Sequence, residues 1–309
     1  MRFSASMAQE TIAQTPTAIA GLRERLAILG ETAWGKAGPA DGHEPPRIAF
    51  GISTIDARLA GGLRRGALHE IRAAASRDAA AVTGFAAALL SHMPAADRRP
   101  IVWIVEASAA HETGLPYAAG LRYFGIDSRR LIVVRVARPL DALWVFEEGL
   151  SCAGLSAVVT DLYANPHQLD LTASRRLALR AAAHGVTGFF LRASAHPEAG
   201  AANTRWLVAP LPAAEGDERY PDGIGFPAWR LTLERNRQGA TGTFDVEWNH
   251  GSFRAFSGRA ARPANSFPGA SLSPDRPAAS PDAGKIVALR LDRDELPREQ
   301  RRLRLQARG

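Results

Sequence analysis

The chain has 309 residues, of which 46% are hydrophobic and 22% are charged. This length allows one substantial hydrophobic core with extensions. No stretch approaches the roughly 18 consecutive apolar residues of a membrane helix, and the first ten residues lack the basic and then apolar order of a signal peptide, so we expect a cytoplasmic protein without membrane association. The net charge of +7 is almost wholly due to arginine, since Lys36 and Lys285 are the only lysines. Arginine-rich surfaces suit nucleic acids and acidic proteins, but a merely solvated surface has the same composition.

The first segment of the chain, residues 1–46, is predicted to be an N-terminal helix and loop. Within it, the stretch TAIAGLRERLAIL at residues 17–29 repeats apolar residues at three- and four-residue spacing, as one face of a short helix does. Residues 35–47 are rich in Gly and Pro, which indicates a loop that leads into the main domain.

Residues 47–256 alternate apolar runs with helical stretches. The predicted strands are Leu68 to Ile71, Ile101 to Val105, Leu131 to Val136, Ala157 to Thr160 and Thr187 to Leu191. Helical stretches lie between them at 78–92, 114–124, 139–153 and 172–184. This order predicts an α/β domain with a mostly parallel sheet and crossover helices. We expect antiparallel strands that extend one edge of the sheet at Arg205 to Ala209, Trp229 to Glu234, Gly242 to Trp248 and Ser252 to Phe256.

The single cysteine, Cys152, lies in an apolar stretch and cannot form an internal disulfide bond. We therefore expect it to be a small core residue without a catalytic role. His111 and His184 have no metal-ligand spacing with Cys152, with the other histidines or with nearby acids. The sequence thus predicts neither a metal site nor a catalytic residue.

The end of the chain divides into two predicted segments. Residues 257–284 are rich in Pro, Ser, Ala and Gly and poor in large apolar groups, so we expect a disordered linker. Residues 285–309 regain apolar residues and carry seven arginines, which predicts a basic interaction tail. The side chains that we expect to contact a partner there are Leu296, Arg301, Leu303, Arg304 and Leu305. A solvated basic tail with incidental leucines is the alternative interpretation.

The stretch FGISTIDARLAGGLRRGALHEI, Phe50 to Ile71, contains a glycine-rich turn followed at once by a predicted strand. The order of its glycines and its final Leu-His-Glu-Ile resemble the approach to the first core strand of RecA and its relatives. In that pattern the strand leads into the P-loop, in which backbone N–H groups, a lysine and a hydroxyl residue bind phosphates and magnesium. The resemblance implies a RecA-like α/β domain.

The P-loop pattern, carried onto this chain residue by residue, places Ala73 and Asp78 at its two glycines, Ala79 at the lysine and Ala80 at the hydroxyl residue. All four functional positions are therefore altered. No lysine lies between residues 37 and 284 to substitute, although neighbouring arginines could make a nonstandard anion contact. The resemblance thus implies a degenerate P-loop, no bound cofactor and no ATP hydrolysis.

Two acidic residues follow predicted strands. Glu106 stands near the place where RecA-like ATPases keep a water-activating glutamate, and Asp161 stands where the resemblance puts the Walker B aspartate. Acids at the carboxyl ends of parallel strands border the usual ligand crevice. The interpretation that we favour is that both are structural relics, as strand-end acids often cap the next helix. Tyr117 and Tyr123 follow the Glu106 strand, where some RecA relatives stack a tyrosine on adenine, but their spacing is too loose to assign that role.

The degenerate P-loop, its RecA-like flanks, the Thr-Arg-Trp step at Thr204 to Trp206 and the basic tail together resemble the ImuA family. These are bacterial RecA-like proteins, also labelled SulA-like, and the resemblance covers about residues 17–256. It implies a noncatalytic adaptor in damage-induced, error-prone translesion DNA synthesis within the SOS response. The implied partners are an ImuB-like Y-family protein and, through it, an error-prone DNA polymerase III α subunit, with RecA as a further candidate.

Two other functions stay open at this point. One is a RecA-paralogue ATPase with a nonstandard phosphate loop, which a nucleotide-binding assay distinguishes. The other is a SulA-like inhibitor of cell division, suggested only by the label that the family carries. Scattered arginines also predict weak, salt-dependent and nonspecific DNA binding, without a module that reads bases.

Overall fold

The computed structural model of the protein describes residues 10–13, 21, 24, 47–94, 96–193, 196–213 and 225–256. These residues belong to one compact unit, Met1–Ala261. The predicted linker and interaction tail lie outside the described residues. So does the predicted helix at 17–29, apart from Gly21 and Glu24, which are both helical.

The elements alternate as the hydrophobic pattern predicts. The strands are β1 (Glu10–Ala13), β2 (Arg47–Ile48), β3 (Leu63–Arg64), β4 (Leu68–Ala73), β5 (Ile101–Glu106), β6 (Leu131–Val136), β7 (Ala157–Leu162), β8 (Thr187–Arg192), β9 (Thr204–Leu211), β10 (Ala228–Asn236), β11 (Gly242–Asn249) and β12 (Ser252–Ala255). The helices are α1 (Ser53–Arg58), α2 (Ala79–Ser91), α3 (Ala107–Thr113), α4 (Ala118–Tyr123), α5 (Pro139–Leu150) and α6 (Leu171–His184). No helix among the described residues is long and apolar enough to cross a bilayer.

One large sheet organises the domain. Its strand order is β1-β6-β5-β7-β8-β4-β9-β10-β11-β12, and β2 and β3 form a separate two-stranded hairpin. Every neighbouring pair from β1 to β9 in this order is parallel, whereas β10, β11 and β12 each pair antiparallel with the strand before them. The predicted fold class is confirmed: a RecA-like α/β fold with a mostly parallel sheet, crossover helices and an antiparallel extension at one edge.

The four strands predicted to extend one edge of the sheet run antiparallel to one another as expected, β9 with β10, β10 with β11 and β11 with β12. The first of them, β9, joins this extension to the core by running parallel to β4. The parallel pairing arises because the chain after β8 returns to the amino end of β4, where the Asn203 N–H donates to the Leu68 carbonyl, before β9 begins. The segment predicted as N-terminal helix and loop contributes the strand β1, whose four residues are too few to show a period.

The prediction of one helix at 114–124 is wrong. The chain forms two short helices there, because Gly114 adopts a φ of 78° and ends α3, and α4 does not begin until Ala118. Only glycine adopts such a φ without strain. The result is an irregular segment between α3 and α4 that stands beside the carboxyl edge of the sheet.

Hydrophobic clusters cover both faces of the sheet. On one face, α2 packs with the antiparallel extension through an aromatic group, Phe50, Phe85, Trp206, Trp229, Trp248 and Phe253. On the other face, α5 and α6 pack through residues such as Phe146 and Leu177. The central strands β5, β7 and β8 are buried along their whole length, which explains their continuous apolar runs. Cys152 is buried in the second cluster as predicted, and burial raises the pKa of its thiol.

Candidate binding site at the carboxyl edge of the sheet

The glycine-rich motif from Phe50 to Ile71 builds the domain rather than a ligand site. Its diglycine turn brings β3 back against β2, with φ of 101° at Gly61 and 129° at Gly62. A Cβ on Gly62 would lie 2.5 Å from the Ile48 carbonyl oxygen, so a side chain cannot be accommodated there. Phe50 is buried, with its ring centroid 5.6 Å from that of Trp206. The motif therefore fixes the start of β4 in the core.

The two motifs that carry the family resemblance meet on adjacent strands. His69, Glu70 and Ile71 of β4 lie opposite Thr204, Arg205 and Trp206 of β9 in the parallel ladder. The Arg205 Nε lies 2.6 Å from the Glu70 Oε2, and both side chains are buried. Arg192 of β8 approaches the other carboxylate oxygen, with 3.2 Å between its Nε and the Glu70 Oε1. Glu70, Arg192 and Arg205 thus form a buried polar network on the side of the sheet that faces α6, and His69 and Thr204 lie on the opposite side.

His69 is held neutral by its surroundings. Its Nε2 lies 2.8 Å from the Arg64 carbonyl oxygen, which can only accept a hydrogen bond, so Nε2 carries the proton. Its Nδ1 therefore accepts from the Thr204 hydroxyl at 2.8 Å, and that hydroxyl accepts in turn from the Trp206 indole N–H. Complete burial lowers the pKa of His69 from 6.5 to about 4. This histidine is a structural bridge between β4 and β9.

The segment that would be a P-loop is a short link with ordinary backbone geometry. Ala73 ends β4, residues Ser76–Asp78 form one 3-10 turn, and α2 begins at Ala79. No residue from Ala73 to Ala80 has a positive φ, whereas an anion-binding nest alternates right- and left-handed residues. The first N–H after the strand, that of Ala74, donates to the Val208 carbonyl in β9. The link therefore joins β4 to α2 and is bonded to β9.

The charged residues of this link do not form an anion site with one another. The Arg77 side chain is exposed and lies 3.9 Å from the mostly buried Asp78 carboxylate. Asp78 precedes α2 without a hydrogen bond from its side chain to the helix. Its negative charge next to the first turn of α2 would oppose a phosphate group there.

Glu106 caps α3. The carboxylate accepts hydrogen bonds from the Ser108 N–H at 2.9 Å and from the Ala109 N–H at 3.4 Å. These N–H groups belong to the first turn of the helix and have no partner within it. Both carboxylate oxygens of this buried residue are therefore already used by the backbone.

Asp161 has no comparable structural role. It lies at the end of β7 and is buried, and no hydrogen bond or ion pair from a described residue reaches its carboxyl group. The next helix, α6, is capped by Asp170 instead. Burial, with a smaller contribution from the negative charge of Glu106, raises the pKa of Asp161 from 3.8 to about 7. The cap interpretation thus fits Glu106 and does not fit Asp161.

Asp161 forms part of the wall of a large cavity, which we call the Asp161 groove. Its volume is about 770 Å³, and its other walls are α2, the segment from Thr113 to Phe124, the end of β9 and the start of β10. Pockets that hold ligands span roughly 300–1,000 Å³. Among the described residues that line the groove, Asp161 is the one charged side chain, and most others are apolar or aromatic.

The comparisons with known proteins agree with the resemblance read from the motifs. Proteins named "Protein ImuA" from two strains of Caulobacter vibrioides are each 33% identical to this chain over 210 residues. The match covers 64% of this chain and 81% of the relative. The chain belongs to the ImuA family. No family model matches this member of the ImuA family.

The sequence indicates some residues of this site but not the groove that they line. The sequence identifies Asp161 as a strand-end acid and assigns no role to Tyr117 or Tyr123, yet all three line the Asp161 groove. The contributions of Pro210 and Trp229 were not predicted, because β9 and β10 reach the site only through the sheet order. The predicted partner contacts from Leu296 to Leu305 lie outside the described residues, so they stay predictions.

Proposed function

We propose that the chain is a noncatalytic accessory protein of damage-induced, error-prone translesion DNA synthesis. In this role it is an adaptor for an ImuB-like protein and, through it, for an error-prone DNA polymerase III α subunit. The observation that carries the noncatalytic part is the link between β4 and α2. There Ala79 stands in place of the phosphate-binding lysine, and the backbone from Ala73 to Ala80 has no left-handed residue.

The electrostatics of the carboxyl edge support the same proposal. A nucleotide triphosphate is stabilised by positive charge and by N–H groups aimed at its phosphates. Here Asp78 follows β4, and Glu106 and Asp161 place carboxylates at the carboxyl ends of β5 and β7, while the Ala74 N–H is directed to β9. The site is therefore suited to a cation better than to a phosphate.

The first prediction concerns ATP turnover. Purified protein should release phosphate from ATP no faster than a blank without protein, with or without magnesium. The Asp161→Ala variant, assayed at the same concentration, should be indistinguishable from the parent. Magnesium-dependent turnover that disappears in this variant would contradict the noncatalytic proposal and would favour a RecA-paralogue ATPase.

The adaptor part rests on the interaction tail predicted from the sequence. Leu296, Leu303 and Leu305 supply apolar area, and Arg301 and Arg304 between them supply orientation toward an acidic surface. Family membership supports an ImuB-like partner for this tail. RecA and nonspecific DNA are further binding partners that the arginine content allows.

The second prediction tests the tail. Replacing Leu303 and Leu305 together by Asp should abolish co-purification with the ImuB-like protein, because it removes the apolar strip. The matched control is Gln300→Asp with Gln306→Asp, which adds the same charge and keeps the leucines. The control should retain most of the binding, and neither pair should alter the thermal unfolding of the core. Unchanged binding by the Leu303 and Leu305 variant would move the contact to the folded domain.

A further inference from the structure

The rim of the Asp161 groove exposes large apolar side chains. Tyr117 is 75% exposed, Tyr123 is 55% exposed and Leu115 is 38% exposed, and all three line the groove. Only two other large apolar side chains among the described residues are exposed to a comparable degree, Leu140 and Leu179 on α5 and α6. Exposed apolar area that continues a cavity onto the surface is typical of a protein-binding site. A ligand that fills only the cavity would leave this rim uncovered.

The wall of the groove contains one unpaired acid. Asp161 is 6% exposed, and the one charged group that acts on it among the described residues is the like-charged Glu106. Its neighbour Glu106 accepts backbone hydrogen bonds of the α3 cap at both carboxylate oxygens, whereas no described group donates to Asp161. A buried carboxylate without a partner is unfavourable, and a cation brought to it from outside gains more than it would in water.

We propose that the Asp161 groove binds a peptide segment of a protein partner, in which an arginine or lysine flanked by apolar residues pairs with Asp161. The apolar flanks would contact the aromatic rim at Tyr117 and Tyr123. The charge complementarity is specific, because Asp161 is the one charged residue among those described in the lining. A peptide satisfies both the single acid in the wall and the apolar rim outside it, whereas a nucleotide would bring phosphates toward that acid.

This inference rests on the proposed function in one respect: both require that the groove does not bind a nucleotide. It concerns a different surface from the predicted tail, so the two can fail separately. Co-purification of the Leu303 and Leu305 variant tests the tail, and ATP turnover tests catalysis. Neither result changes what the groove itself selects from a peptide library.

The experiment is a selection of random heptapeptides displayed on phage, carried out in parallel on the full-length protein and on its Asp161→Asn variant. The peptides enriched on the parent should contain an arginine or lysine next to apolar residues. Capped synthetic versions should lose affinity by at least about 30-fold when the cation is replaced by norleucine, as expected for one partner of a buried charge pair. Isothermal titration calorimetry measures these constants.

Variants of the protein locate the contact. Asp161→Asn should weaken the binding of the cation-containing peptide by a similar factor and should leave the binding of the norleucine peptide unchanged. The effects of the two replacements on affinity are then not additive. Tyr117→Ser should weaken the binding of both peptides by the same factor. Glu112→Gln removes an exposed carboxylate of α3 outside the lining and should change neither. Unfolding midpoints of all variants exclude loss of fold as the cause.

Three outcomes would overturn the inference. One is that the selection on the unsubstituted protein enriches no peptide that the selection on the Asp161→Asn variant does not also enrich. Another is enrichment of peptides without a cation, or of peptides that Glu112→Gln weakens as much as Asp161→Asn does. The third is displacement of the selected peptides by magnesium ATP through Asp161, which would identify the groove as a nucleotide site.

Discussion

Replacing Glu70 by Ala should destabilise the protein by about 3–5 kcal/mol, because it leaves two buried guanidinium groups without their shared carboxylate. The side chains of Arg192 and Arg205 are 5% and 10% exposed, and both approach Glu70. Their remaining hydrogen bonds go to neutral acceptors, from Arg192 to the Asn165 side chain and from Arg205 to the Glu198 backbone carbonyl, and the Glu198 carboxylate is a second, weaker electrostatic partner of Arg192. Chemical denaturation followed by circular dichroism measures the change.

An exposed ion pair of similar geometry provides the control. Arg230 and Asp245 pair across β10 and β11 with an Nε to Oδ1 distance of 2.8 Å, but their side chains are 55% and 35% exposed. Asp245→Ala should therefore cost less than about 1 kcal/mol, since water replaces the lost carboxylate. Equal losses in the Glu70 and Asp245 variants would show that burial of the network contributes nothing. Glu70→Gln should fall between them, because the amide oxygen still accepts one hydrogen bond.

The buried network also shows why the motifs could be recognised in the sequence but not explained from it. Leu-His-Glu-Ile and Thr-Arg-Trp are separated along the chain by more than a hundred residues, and their pairing depends on β9 lying next to β4. Nothing in the apolar pattern indicates that order, because the pattern shows where strands begin and end but not which strands are neighbours. The tautomer of His69 and the burial of Glu70 follow only from the register.

The central strands were predictable because they are buried on both faces. β6 has the predicted bounds, Leu131–Val136, and β5, β7 and β8 differ from the prediction by one or two residues at their carboxyl ends. The added residues are Glu106, Asp161, Leu162 and Arg192. Three of them are polar and end the apolar run, but all four still belong to the ladder. The Asp161 groove could not be predicted, because its walls come from α2, from the irregular segment after α3 and from two strands of the extension.

Asp161→Asn should stabilise the protein at pH 8, which is the reverse of what most substitutions of buried residues do. The folded protein holds this carboxyl with a pKa of about 7, and in the unfolded chain the ordinary value of 3.8 applies. Above pH 7 the carboxylate is therefore buried in its unfavourable charged form, at a cost of roughly 4 kcal/mol. Replacing the carboxylate by an asparagine amide removes this cost, but the buried amide has a smaller desolvation cost of its own, so we expect a net stabilisation of about 2 kcal/mol.

The pH dependence distinguishes this cause from better packing. Between about pH 4 and pH 7 the folded chain binds a proton at Asp161 that the unfolded chain releases, so this residue makes wild-type stability rise as the pH falls. His69 has the opposite effect, because its folded pKa of about 4 lies below the ordinary 6.5, and the unfolded chain takes up the proton first. Its contribution is complete above pH 6.5 and is lost as the pH falls toward 4.

The contributions of Asp161 and His69 to the pH dependence of stability therefore nearly cancel in the wild-type protein. Asp161→Asn should reveal the pH dependence that His69 produces alone. We expect wild-type stability to change little from pH 6.5 to pH 4, whereas the variant should lose about 3 kcal/mol over that range. Urea unfolding at half-unit steps of pH measures both curves, and their difference isolates Asp161 because His69 is common to them. A stabilisation that stays constant from pH 8 to pH 4 would mean that Asp161 is not the group with the raised pKa. It would also remove the buried, unpaired charge on which the Asp161 groove depends for its choice of a cation.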